Sequence, residues 1–210
     1  GVLFLDELAE FKRGALEALR QPLEDKEISI ARANSKVVYP AGIMLIASTN
    51  PCPCGNFGSS DKQCRCTPNE IKRYLSRISG PLLDRIDLHI GMEEISYSEL
   101  TGERSGETSA QVKERVNAAR RIQQERYEGT DIHSNAELTN ELLNDVCRLS
   151  KECERMMEKA YNTFSLSARA MTRVKKVART VADMEGSETI EAKHLAEAIG
   201  YRAQDEKYWR

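Results

Sequence analysis

Two adjacent carboxylates, Asp6 and Glu7, follow the apolar run Val2–Leu5. In an open parallel sheet, ligands bind at the carboxyl ends of the strands, so acids delivered there are placed for chemistry. The pair suits phosphoryl transfer, with one carboxylate to hold Mg²⁺ and a second to polarise the attacking water. Asp6 fits the first role and Glu7 the second. A further apolar run, Ile43–Ser48, ends in Thr49-Asn50-Pro51. A neutral amide there can hydrogen-bond a water or a phosphate oxygen without changing the local charge. Each feature also has a plainer reading: an acidic turn after a strand, and an asparagine opening a turn before proline. Arg85, in Ser79-Gly-Pro-Leu-Leu-Asp84-Arg85-Ile-Asp87, precedes a third apolar run. It is expected outside the core, either paired with Asp84 or Asp87 at the surface or reaching a neighbour's phosphate.

Cys52, Cys54, Cys64 and Cys66 form a C-x-C-x₉-C-x-C pattern in a loop of Gly, Pro and polar residues. Four thiolates can close a tetrahedral Zn²⁺ site and so order a loop with little apolar content. The C-x-C spacing is tighter than the usual C-x₂₋₄-C of zinc sites, and the alternative is four reduced surface thiols. Cys147 and Cys153 lie on partly apolar helical faces and read as core. His89, His133 and His194 have no ligand-like partner at a useful spacing and receive no role.

These residues need elements to hold them. Val2–Leu5, Ile43–Ser48 and Ile86–Ile90 have the length of buried strands, and helical spacing between them predicts an α/β layer. Glu27–Arg32 and Lys36–Tyr39 read as a β-hairpin with Asn34 suited to its turn. Thr67-Pro68-Asn69-Glu70 is a capping box with proline at the first helical position. It predicts a helix to about Ile78, burying Tyr74, Leu75 and Ile78. The polar stretch Thr101–Thr108 reads as a linker, which gives domains at 1–100 and 109–210. Beyond it, apolar spacing predicts five helices, marked by Val112/Val116/Ala119/Ile122, Leu142/Leu143/Val146/Leu149, Met156/Met157/Ala160/Tyr161/Phe164, Met171/Val174/Val177/Ala178/Val181 and Leu195/Ala198/Ile199. The fold class is α/β followed by all-α. The basic run Arg169, Arg173, Lys175, Lys176, Arg179 reads mostly as a solvated face. Arg32 and Lys36 flank the hairpin tip, where they could meet phosphates, although a charged tip is ordinary.

Composition sets outer limits. The chain has 210 residues, 31 Lys+Arg against 33 Asp+Glu, and 40% hydrophobic residues. That supports a packed core, excludes a disordered or polybasic chain, and removes gross charge as an argument for nucleic acid. No run approaches a membrane span, and the thiols suit a reducing, cytoplasmic setting.

The apolar-Asp6-Glu7 strand, the apolar-Thr49-Asn50-Pro51 strand, the segment Pro81–Leu88 and a helical half containing Leu166-Ser-Ala-Arg169 together resemble an AAA+ ATPase. More narrowly they resemble the Mg-chelatase-like, ComM-type branch, in the same order along essentially the whole chain. The resemblance implies a partial AAA+ P-loop NTPase core followed by a helical lid. It implies that Asp6-Glu7 is the Walker B pair, Asn50 the sensor-1 residue, Arg85 an arginine finger and Arg169 the sensor-2 arginine. It further implies ATP and Mg²⁺ as ligands, a homo-oligomeric ring, commonly a hexamer, and DNA contact through the hairpin. No G-x-x-x-x-G-K-[ST] occurs in the 210 residues. The family places that loop before the Walker B strand, so the chain is expected to be the later portion of a longer protein, inactive towards ATP by itself. The family also places a strand between 43–48 and 86–90, so both are expected to show unpaired edges. Three outputs stay open: DNA helicase or branch migration, the motor of a magnesium chelatase acting on a tetrapyrrole, and a non-catalytic interaction module. The cysteine loop favours the first over the second, since the chelatase motors have a short, cysteine-free connection there.

Overall fold

Val2–Leu5 (β1) and Met44–Ala47 (β4) form a parallel ladder in the register Val2↔Met44 to Leu5↔Ala47. The coordinates are a computed structural model describing residues 1–32, 35–59, 61–92, 97, 101 and 106–202. Between the two strands, Leu8–Glu10 makes a 3₁₀ turn, followed by helices α1 (Arg13–Ala18) and α2 (Arg20–Asp25). Then Glu27–Arg32 (β2) and Ser35–Pro40 (β3) pair antiparallel from Glu27↔Pro40 to Arg32↔Ser35. The hairpin therefore forms as its sequence predicts, while Asn34 lies outside the described residues.

Helix α3 (Pro68–Leu75) begins at the predicted capping box. The Thr67 hydroxyl accepts from Glu70 N at 3.3 Å, and Glu70 accepts from Thr67 N at 2.8 Å. The short helix α4 (Gly80–Leu83) is capped by Ser79. Tyr74, Leu75 and Ile78 join Leu8, Ala9, Leu16, Leu82 and Leu83 in one buried cluster. The segment 86–90 is not a strand. Among the described residues β4 pairs only with β1, so the segment has no ladder to join. Its backbone turns instead through Ile86 N to Leu83 O, and His89 N donates to Tyr201 O at 3.0 Å.

The described chain divides into two compact units after Ile86. Asp87–Ile90 belongs with the helical unit, through that His89 bond and an ion pair of Asp87 with Arg173. Residues 102–105 of the expected linker lie outside the described residues. The helical unit contains α5 (Ser109–Arg126), α6 (Asn140–Val146), α7 (Lys151–Thr163), α8 (Ala168–Met184) and α9 (Ala192–Gly200), the five expected. Its core gathers Leu143, Met157, Ala160, Val174, Ala178, Leu195 and Ile199 with Cys147 and Cys153. The α5 stripe differs from expectation. Val112 and Val116 are exposed, and burial is confined to Ala119, Gln123 and the following Tyr127. Helix α8 ends before Gly186, whose φ of +69° is a left-handed conformation that glycine adopts without penalty.

Candidate functional site

The β1–β4 register brings the ends of both strands together. Ser48 N donates to Leu5 O at 3.0 Å and Leu8 N to Ser48 O at 2.7 Å, continuing the ladder past the last paired residues. Asp6 and Glu7 thus stand beside Ser48, Thr49 and Asn50, and the side chains of Asp6, Glu7 and Asn50 face solvent. The Ser48 hydroxyl donates to Asp6 Oδ1, which also accepts from Glu7 N at 3.1 Å. Glu7 takes a left-handed conformation at φ 53°, ψ 51°. Such a conformation costs a non-glycine residue about 1–3 kcal/mol and persists only where surrounding bonds impose it. Here they do: Glu7 N meets both Asp6 Oδ1 and, at 3.3 Å, Ser48 Oγ. Ser48 is a site residue that the sequence reading missed; its only signal is a hydroxyl one position beyond the paired strand.

Helix α3 holds the two strand ends from one side. The buried Tyr74 phenol lies near the Thr49 side chain, whose hydroxyl donates to Asn50 O at 3.3 Å. Arg77 lies over the Tyr74 ring and donates to Ala9 O at 3.0 Å and Glu10 Oε2 at 2.9 Å, just past Glu7. The end of α3 and the residues just after it thus lie against the 3₁₀ turn that follows Glu7 and near Thr49.

Arg85 departs from expectation. Its side chain is only 7% exposed, with Nη2 paired to Glu24 of α2 and Nη1 donating to Pro81 O at 2.7 Å. The expected surface pairing with Asp84 or Asp87 gives way to a partner 61 residues upstream, which local reading cannot see. Arg85 Nε is buried without a hydrogen-bond partner among the described residues.

The cysteine loop closes into a cage. Sulfur separations are 3.4 Å for Cys52–Cys54, 3.7 Å for Cys52–Cys64 and 3.6 Å for Cys54–Cys64. All four Sγ atoms, Cys66 included, lie within 4.8 Å of one another. Zn–S bonds of about 2.3 Å in a tetrahedron set the sulfurs about 3.8 Å apart, so the cage has the right size. The tight C-x-C spacing is accommodated by a turn in which Gly55 N donates to Cys52 O at 3.0 Å, with Gly55 at φ +80°. Backbone hydrogen bonds from Arg65 and Asn56 bring the Cys54 thiol down to about 6, whereas burial pushes Cys66 up to about 12. Sulfurs this crowded ionise together only around a cation.

In the helical unit, Arg169 is exposed in the first turn of α8, where Ser167 caps the helix by accepting from Ala170 N at 3.1 Å. The rest of the basic run is not simply solvated. Arg179 is buried, donating to Asp183 Oδ1 at 3.1 Å and to Glu188 O at 2.8 Å. Arg126 binds the same carboxylate through Nη1 at 2.9 Å and Nη2 at 2.5 Å, and Asn135 donates to it at 2.7 Å. His194, buried, caps α9 by accepting from Glu191 N at 3.0 Å.

A family profile described as "Magnesium chelatase, subunit ChlI" matches residues 1–100, and one described as "Magnesium chelatase, subunit ChlI C-terminal" matches residues 106–202. The chain belongs to the Mg-chelatase-like AAA+ family. Within that family it is 48% identical over 205 residues to the competence protein ComM of Haemophilus influenzae, covering 97% of this chain and 39% of ComM. It is 43% identical over 206 residues to the Escherichia coli protein YifB, covering 98% of this chain and 40% of YifB. An uncharacterised Mycobacterium bovis protein is 38% identical over 202 residues, covering 96% of this chain and 40% of that protein. The chain thus spans about two fifths of the length of these family members. Among the described residues, no helix is long and apolar enough to cross a membrane.

Proposed function

We propose that this chain is the Walker B-to-lid portion of an Mg²⁺-dependent AAA+ ATPase that works as a ring, commonly a hexamer, and remodels DNA by unwinding or branch migration. The observation that carries it is the β1–β4 register, which sets Asp6, Glu7 and Asn50 side by side at one sheet edge. Asp6 and Glu7 offer exposed carboxylate oxygens, the hard donors that Mg²⁺ prefers, so the residues fit the ion. Asp6 would hold it; when bound, Mg²⁺ neutralises charge on the β- and γ-phosphate oxygens. Glu7 polarises the attacking water and Asn50 orients it. Arg85 acts across a subunit interface once it leaves Glu24, and Arg169 follows the γ-phosphate from the lid. The same reading assigns Cys52, Cys54, Cys64 and Cys66 to Zn²⁺. The two profile matches, 1–100 and 106–202, favour domains at 1–100 and 109–210 around a linker at 101–108, with Asp87–Ile90 packing onto the helical domain.

DNA is favoured over a tetrapyrrole by the likeness to a competence protein, and the hairpin is the element offered to a partner. Ile28 and Ile30 on β2 and Val37, Val38 and Tyr39 on β3 are all exposed, as suits an element that meets a partner. The test is ATP turnover by the full-length protein, with and without single-stranded or forked DNA. Mg²⁺-dependent turnover raised by DNA is expected. Turnover indifferent to DNA but raised by a tetrapyrrole-loading partner would support the chelatase motor, and no turnover would leave an interaction module.

A further inference from the structure

We propose that Zn²⁺ in the four-cysteine cage is a clamp on Asn50: it fixes the turn that carries the amide and ties that turn to α3. This rests on the ATPase reading and adds a regulator to its site. The argument begins with chain order. Asn50 and Pro51 lead directly into Cys52, the first ligand, which is fully buried; Cys66, the last ligand, leads directly into the Thr67 cap of α3. The metal therefore joins the two ends of a 15-residue loop, counted from Cys52 to Cys66. That loop contains one large apolar residue, Phe57, so burial gives it little reason to hold a shape. Its far end, α3, sets Tyr74 near Thr49, and Arg77, just after the helix, donates to Ala9 O in the turn that follows Glu7. With the cage closed, the Asn50 turn is held from both directions, by Cys52 after it and by Tyr74 beside it.

The donor set defines the ion and its role. Four sulfurs exclude Mg²⁺ and Ca²⁺, and a tetrahedral S₄ cage suits Zn²⁺, with iron as the competing ion. Four protein ligands leave no open position, so the metal does not touch nucleotide or water; Asn50 is the group it positions. A shift of about 1 Å in a positioned group costs on the order of 10²-fold in rate, so loss of the metal should lower turnover by about that factor. ATP affinity should stay within about threefold, because the amide orients water and contributes little to holding the nucleotide.

The test uses the full-length protein. Elemental analysis should find about one zinc per chain, X-ray absorption should show four sulfur neighbours, and Cys54→Ser and Cys64→Ser should lose the metal. Stripping the zinc should lower turnover about 10²-fold, and restoring Zn²⁺ should recover it. Asn50→Ala in the zinc-loaded protein should lose a similar factor, and Asn50→Ala with Cys54→Ser should lose no more than either alone. Iron, or no metal, in the cage overturns the proposal. So do losses that multiply, or stripped protein that keeps full turnover. A zinc-loaded wild-type protein without any turnover instead removes the ATPase reading and the clamp with it.

Discussion

The two units spend their charges in opposite ways. In the helical unit Asp183, Arg179 and Asn135 are buried, and every bond described for them closes within the unit. In the first unit Asp6, Glu7 and Asn50 stand in solvent at a strand edge, and one face of the sheet shows Val2 and Phe4 of β1 and Met44 and Ile46 of β4 largely uncovered. Buried charge must be paired on the spot, because leaving it unpaired costs several kcal/mol. Exposed charge held by a strained turn is available to a ligand. The contrast separates architecture from the proposed chemistry: Asp183 holds helices together, whereas Asp6 and Glu7 stand open to solvent, as the proposed nucleotide role requires.

Arg85 sits between these categories. It is buried like Arg179, yet the proposed role needs it in a neighbouring subunit's site. If it acts there, Arg85→Ala in the full-length protein preserves ATP binding and lowers turnover by about 10³–10⁵. Mixing it with Glu7→Gln subunits restores part of the activity, because some interfaces then combine an intact Glu7 with an intact Arg85. A mixture as inactive as each variant alone, with subunit exchange demonstrated, would class Arg85 with the architectural charges.

Next in size is Asp183→Ala. It leaves Arg126 and Arg179 without their shared carboxylate and should cost about 3–5 kcal/mol in chemical unfolding of the helical unit. Burial raises the Asp183 pKa, but hydrogen bonds from Arg126 and Asn135 and the charges of Arg126 and Arg179 outweigh it, and the net shift is downward. A depressed carboxylate stabilises the fold fully above its unfolded pKa of about 3.9, and that stability is lost as pH falls through the folded value. The wild-type unit should therefore lose stability below about pH 4, and Asp183→Ala should flatten that part of the profile. An unchanged acid limb would assign the acid sensitivity to other carboxylates.

How much of this could be read in the chain depends on the range of the interaction. The Thr67–Glu70 box, the β2–β3 hairpin and the five helices are set by neighbours a few residues apart, and they form as expected. The strand ends carrying Asp6, Glu7 and Asn50 were legible because apolar runs stop abruptly at polar residues. The segment 86–90 was not, since a strand needs a partner and an apolar run cannot show whether one is present. Arg179 read as surface because its partner Asp183 is visible on the helix but Arg126 and Asn135, which complete the buried network, are not. Glu24 was missed for the same reason: nothing near residue 24 points to residue 85. Sequence spacing placed the four cysteines together, but only the folded turn at Gly55 shows that C-x-C can close the cage.

Thr67→Ala removes the α3 cap and should cost about 1 kcal/mol of stability in the first unit, with no change in that of the helical unit. Hydrogen exchange should show faster opening at Glu70 and Ile71 amides in that variant. Equal loosening in α8 would mean that the two units do not respond separately.

In the proposed mechanism the exposed acidic turn at the end of β1 supplies the groups that hydrolyse ATP. Its most direct test is Glu7→Gln in the full-length protein, read by nucleotide binding and turnover together. Glu7 is exposed, so the substitution should leave folding stability within about 0.5 kcal/mol. ATP should bind as in the wild type while turnover falls by about 10²–10⁴, the contribution of a positioned base. Turnover equal to that of the wild type would remove Glu7 from the base role.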